Sequence, residues 1–560
     1  MLAENSLDGP RRSKTAPDSA LGSAPVGVLT FAVAGFFALL VPMAFLRNIN
    51  WDEFYFLSHV HAWLDGRLDR PMQTFFVHGF SWLAHVPGHE VGQIIAARLV
   101  MTALLALTCL AIWRMGKGLA DPVAAKIAVL AFLCSGFVMA HGTSFRADPI
   151  AACLLMSALS LLLTSRMRAP QVALVALLSA LALLVTVKSA LYLPAFLGVL
   201  IYRRREGDVV LRSLIAGGLA LVIAAGLYLW HSAGISAAEG NDTGSNLREA
   251  AATTLLSGSI LPRSAEILLW VLLSLPAIIL AWAGFGHARQ TRRAIVLTAF
   301  ALPLLCLLIY RNAFPYFFPF ISAPLMVAVA LGASHLRNSP RFPLLLVGMI
   351  VSGTGQGLLA LSEGNAVQRA TLAEVHRLFP EPVTYIDQHG MVSEFPRQGF
   401  FMSTWGIESY RKAGEPVFAA IIANARPPLL LANRHELAQA VTYGASRPGA
   451  FLPEDQAVLK NSYVHYAGAI WLAGHDLAGA GKAVPFSMPF GGRYRLESDA
   501  PVLIDGVTVE PGAILWLDES RHALEATEGM SLRLIWATGT NGTAPPILPA
   551  TGLYSGFWRL

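Results

Sequence analysis

Eleven stretches of this chain, 14 to 21 residues long, carry at most one charged side chain each. They lie near 26–46, 93–113, 123–141, 149–164, 170–187, 189–202, 211–230, 265–284, 294–310, 318–335 and 343–361. A helix needs roughly 20 mainly apolar residues to cross a bilayer. In lipid, a helix can satisfy its backbone hydrogen bonds within itself. The pattern therefore predicts an α-helical polytopic membrane protein with about eleven transmembrane helices. Composition agrees: only 14% of the 560 residues are charged, where a soluble domain carries about 25%.

Basic residues set the expected orientation. Arg11, Arg12 and Lys14 precede the first run, and Arg114, Lys117 and Lys126 lie between or just inside the second and third. Arg166 and Arg168, then Arg203, Arg204, Arg205 and Arg212, then Arg289, Arg292 and Arg293, then Arg337 and Arg341 fill every second loop after that. By the positive-inside rule the N-terminus is cytoplasmic. An odd number of crossings then puts the C-terminus on the periplasmic side of a bacterial inner membrane. The first run lacks a following Ala-x-Ala cleavage site and reads as a retained helix. The net charge of +6 fits loop topology, and no nucleic-acid motif is visible. Cys109, Cys134, Cys153 and Cys306 all fall in apolar runs, which suits small core residues and no disulfide framework.

Four regions follow. Residues 1–25 read as a disordered cytoplasmic tail and 26–362 as the membrane domain. Residues 363–484 mix helical and strand patterns, as a periplasmic α/β region would. Residues 485–560 carry short alternating runs with turns at Asp505-Gly506 and Pro511-Gly512, as in a periplasmic β-sandwich. Gly353-Thr354-Gly355-Gln356-Gly357 follows no strand and reads as helix packing, not a nucleotide loop.

Ionisable residues at membrane depth are costly and are functional candidates by default. The long first outer loop, about 47–92, opens with Asn50-Trp51-Asp52-Glu53. A carboxylate at an apolar boundary can serve as a general base toward a hydroxyl; the plain alternative is an acidic pair that marks a helix end. Arg146 and Asp148 sit in the short turn before the fourth run, where Arg146 offers a phosphate-shaped fork, or the two simply pair. Lys188 lies after the fifth run against the positive-inside bias, facing an anionic partner or snorkelling. Arg311 and Tyr316 belong to an aromatic loop before the tenth run, which is either a cation site or an interfacial belt. Arg98 lies near the outer end of the second run. Together these would bring cations and a carboxylate to one membrane level.

In this order, the segments resemble the GT-C superfamily of polyprenyl-phosphate-sugar glycosyltransferases. The resemblance is to the branch of protein O-mannosyltransferases, the lipid A aminoarabinose transferase and galacturonosyltransferases. It rests on Trp51-Asp52-Glu53-Phe54-Tyr55, Ala97-Arg98-Leu99, Arg146-Ala147-Asp148, Thr186-Val187-Lys188 and the stretch from Arg311 to Pro319, and covers about 26–362. Phe76-Val77-His78-Gly79 stands where the family often has a Pro-Pro pair. The resemblance implies a polyprenyl-phosphate-sugar donor, an envelope glycan, lipid or protein acceptor, and inverting transfer to a hydroxyl at the periplasmic face. It implies Asp52 as general base with Glu53 assisting. Arg146, Lys188 and Arg311 would hold phosphate with help from Arg98, Asp148 would share the substrate site, and Tyr316 would touch phosphate or sugar. It implies no catalytic metal or other cofactor, and His59 and His61, at i and i+2, share no helix face. A transporter or flippase of a lipid-linked saccharide is the main alternative; charges at helix ends and the lack of a visible repeat favour the enzyme. A non-catalytic polysaccharide-binding scaffold is a third reading.

Overall fold

A computed structural model describes residues 23–235, 260–539 and 545–554. Most of the N-terminal tail, with Arg11, Arg12 and Lys14, lies outside these residues. Each of the eleven apolar runs coincides with helical structure. Among the described residues six helices are long and apolar enough to cross a membrane: Gly27–Leu46, His89–Leu119, Ala147–Thr164, Gly207–Ala233, Pro315–Leu336 and Phe342–Ser362. A seventh candidate, Ser264–Leu273 with Leu275–Ala288, bends by 82° at its break, where Ser274 and Pro276 interrupt the helix. Pro122–Cys134, Ala169–Val185, Val187–Tyr202 and Arg293–Leu308 are shorter.

The helices pack through small residues. A Cβ on Gly284 would overlap the Ala328 carbonyl, and one on Gly332 would overlap the Leu280 carbonyl. This close approach lets the Leu275–Ala288 helix lie directly on the Met326–Leu336 helix, a packing mode that suits lipid because burial of apolar surface gives no gain there. The basic loops meet at one end of the bundle: Arg337 bonds Asp121, Arg203 bonds the Leu162 and Ser165 carbonyls, and Arg292 bonds the Tyr202 carbonyl.

At the other end sits the C-terminal region. Its strands are β1 (Tyr385–Ile386), β2 (Arg397–Gln398), β3 (Leu429–Leu431), β4 (Tyr463–Ala467), β5 (Ile470–Ala478), β6 (Val484–Ser487), β7 (Gly492–Glu497), β8 (Val502–Ile504), β9 (Val507–Val509), β10 (Ile514–Leu517), β11 (Arg521–Glu525) and β12 (Ser531–Trp536). One sheet runs β10-β7-β12-β5-β3-β1-β2, with β4 paired to β5; the second runs β6-β11-β8-β9. Strand β1 is parallel to β2 and β3, with a helix before β1 and two helices between β2 and β3, which gives the α/β character. Strand β5 joins β12 antiparallel, so a single sheet links the 363–484 stretch to the 485–560 stretch.

The region is sewn to the bundle. Asn48 N–H donates to the Glu363 carbonyl at 2.8 Å, and Gln368 exchanges bonds with the Ile49 backbone at 2.9 and 2.7 Å. Phe54, Leu57, Phe76 and Ile94 share one apolar core with Leu372, Tyr385, Leu429 and Leu472. Replacing Gly332 with Val should cost about 1–3 kcal/mol by overpacking and lower the thermal midpoint of the detergent-purified protein. Gly226→Ala, with open space around its Cβ position, should leave that midpoint unchanged in the same assay.

Candidate active site

The Trp51–Leu64 helix begins with a capping box. Asn50 accepts the Asp52 N–H at 3.0 Å, and the Glu53 carboxylate takes the Asn50 N–H at 3.1 Å. Glu53 is fully buried, as is Arg98. Arg98 clamps Glu53 with two bonds, 2.8 Å from Nε and 2.6 Å from a terminal nitrogen. Its remaining donors reach the carbonyls of Arg47 and Asn48, both at 2.9 Å. Those carbonyls lie just past the first membrane helix. Glu53 also accepts the Phe145 N–H at 3.0 Å. Burial pushes the Glu53 carboxyl upward, but the Arg98 charge and its hydrogen bond outweigh burial and hold it down at about 2. Stability from this pair is therefore present above the ordinary pKa of 4.5 and is lost only as pH falls toward 2.

Asp52 turns the other way, with its side chain 16% exposed. Arg146 bonds Asp52 directly, and its Nε lies 3.8 Å from Asp148. Lys188 bonds Asp148 from the opposite side. The Arg146 guanidinium lies 3.4 Å from the Tyr316 ring centroid, and Lys188 lies 5.7 Å from it. Burial works against the Arg146 charge, but the neighbouring Asp52, Tyr316 and Asp148 groups raise its pKa above the usual arginine value. Three chain segments thus deliver two carboxylates and two cations to one spot, and a fourth adds the Tyr316 ring. A Thr186 hydroxyl bond to Gln73 at 3.1 Å ties the first loop to the same place.

The structure thus brings Asp52, Arg146, Asp148, Lys188 and Tyr316 together. Glu53 and Arg98 stand beside them as a closed pair with their bonding capacity spent on each other and on the backbone. Arg311 pairs with Glu408 of the C-terminal region at 3.2 Å. Sequence reading passed over Arg263, whose guanidinium lies 3.8 Å from the Phe314 ring centroid and which bonds the Arg311 carbonyl at 2.9 Å. Its position before a span, on the end where basic residues should be scarce, is the same signal that singled out Arg311. It also passed over Arg434 and His389, which lie 4.7 and 5.4 Å from the Trp51 ring. No local pattern marks these two, because the contact joins residues more than 300 positions apart.

No family profile and no curated protein sequence matches this chain. Among solved structures, ArnT from Cupriavidus metallidurans bound to undecaprenyl phosphate is similar over 76% of this chain and 95% of its own, with TM-score 0.54 at 15% identity. The same protein in its apo state gives 0.50 at 16% identity, over 75% and 95%. An apo oligosaccharyltransferase from Archaeoglobus fulgidus gives 0.48 at 12% identity, over 79% and 73%. The chain shares the fold of this ArnT, and the fold class agrees with the one expected: a mostly helical membrane part and a C-terminal sheet region.

Breaking a buried ion pair costs about 3–5 kcal/mol, because the surviving charge is left uncompensated. Glu53→Gln and Arg98→Ala should therefore lose the folded state, read as loss of a monodisperse peak in detergent chromatography. Asp52→Asn should keep that peak. Equal behaviour of all three variants would contradict the division of labour between Glu53 and Asp52.

Proposed function

We infer that this chain is an inverting glycosyltransferase that moves a sugar from a polyprenyl-phosphate carrier to a hydroxyl acceptor. The observation that carries this reading is the Asp52–Arg146–Asp148–Lys188 network at the bundle end next to the C-terminal region. ArnT, whose fold it shares, holds undecaprenyl phosphate in one of its structures. The basic loops gather at the opposite end of the bundle, which supports a periplasmic placement of the network in a bacterial inner membrane.

In the resting state the network is neutral, two carboxylates against two cations. A lipid phosphate arriving at Arg146 and Lys188 competes with Asp52 and Asp148 for them. As Arg146 turns to the phosphate, the Asp52 carboxylate is released from its ion pair and is open to the acceptor hydroxyl. The acceptor O–H then gives its proton to Asp52 while its oxygen attacks the anomeric carbon. The bond from that carbon to the phosphate oxygen breaks, and the leaving phosphate keeps the electron pair. Arg146 and Lys188 stabilise the charge it gains. The Tyr316 ring supports the Arg146 fork from below. Glu53 and Arg98 act as positioning residues, holding Asp52 and Arg146 in register. Arg311 pairs with Glu408 at the junction with the C-terminal region.

General-base removal costs about 10²–10⁴-fold in rate. Asp52→Asn, assayed in membranes with a polyprenyl-phosphate-sugar donor, should lose transfer to that extent while folding normally. Envelope glycans of the variant strain should lack the same sugar as a deletion strain. A full complement of envelope sugars in the Asp52→Asn strain would remove Asp52 as the base.

A further inference from the structure

We propose that His89, His376 and Glu394 form a divalent-cation site, suited to zinc, that fastens the C-terminal region to the start of the His89–Leu119 helix. The three come from separate segments: the first turn of that membrane helix, the Ala366–Leu378 helix and the loop between β1 and β2. Their ligand atoms all lie within 4.8 Å of one another. His89 Nδ1 stands 3.3 Å from the Glu394 carboxylate, and the two imidazole rings stack at 3.7 Å. His376 Nε2 faces the buried Glu90 carboxylate at 3.0 Å. None of these residues belongs to the Asp52 network.

The surroundings are built as a metal site needs. Glu394 is oriented by Gln93, which donates to its other oxygen at 3.0 Å, and Gln93 is in turn held by His61 at 2.8 Å. Such outer partners fix the ligands of metal sites. The His89 backbone sits at φ 49°, a conformation few non-glycine residues adopt. Two imidazole nitrogens with a carboxylate suit zinc, while magnesium and calcium prefer all-oxygen ligand sets. Zinc ligands in a tetrahedral shell stand about 3.3 Å apart, so loading draws the three groups inward. Closing the shell requires the His89 ring, whose side chain is 54% exposed, to turn out of its stack on His376. Glu90 or water supplies the fourth ligand.

The test uses the full chain without a histidine tag, purified in detergent, stripped with EDTA and equilibrated with zinc chloride. The expected result is one zinc per chain after desalting and a thermal midpoint raised by several degrees, with no such rise in magnesium. His89→Ala and Glu394→Gln, both at partly exposed side chains, should match the metal-free wild type in thermal midpoint, bind no zinc at this site and show no rise. Wild type that retains no zinc, or His89→Ala and Glu394→Gln variants that retain it and gain the same rise, would overturn the proposal. Sugar transfer is not needed for this readout, so the site stands or falls apart from the proposed activity.

Discussion

The fully buried pair of Glu53 and Arg98 sets the geometry on which the rest of the site depends. Two charges taken out of water are stable together only if every donor and acceptor is used. Here the donors of Arg98 cover carbonyls at the end of the first membrane helix, while Glu53 caps the start of the next and takes the Phe145 N–H. Helix ends carry unpaired backbone groups that must find partners. A single ion pair supplies them for three chain segments at once. The consequence is one of sequence adjacency: Glu53 is bonded to Asp52, and Phe145 to Arg146. Fixing these neighbours places Asp52 and Arg146 against each other.

That arrangement separates strength from reactivity. Arg98 holds the buried Glu53 carboxyl well below the usual carboxylate range, with its oxygens already committed to Arg98 and backbone N–H groups. Asp52 keeps solvent access and has Arg146 as a partner that a phosphate can draw away. On the proposed reading, donor arrival and base activation are one event, because the same guanidinium serves both anions. The C-terminal region adds Arg434 and His389 against Trp51, one residue from Asp52. The surroundings of Trp51 are thus shaped by a part of the chain far from the membrane motifs.

Much of this was legible in the sequence for physical reasons. Apolar composition marks each helical run, and apolar length marks the six helices long enough to cross, because lipid imposes a length on any helix that crosses it. Arg146, Lys188 and Asp52 stood out as charges where charge is costly. The same rule could not tell Arg98 or Arg311 from Arg146, since it registers a charge and not its partner. Arg98 spends its donors on Glu53 and backbone, and Arg311 on Glu408. Pairing between β5 and β12, and the contacts of Arg434 and His389 with Trp51, depend on tertiary packing that no local pattern encodes.

The central claim is that Arg146 and Lys188 are a phosphate site. It is tested most directly by binding of undecaprenyl phosphate to the purified chain, measured by native mass spectrometry from detergent. The account predicts a bound lipid on the wild type, a similar or greater share on Asp52→Asn, and loss of at least tenfold in affinity on the Arg146→Ala, Lys188→Ala double variant. Equal lipid occupancy on the double variant and the wild type would contradict it.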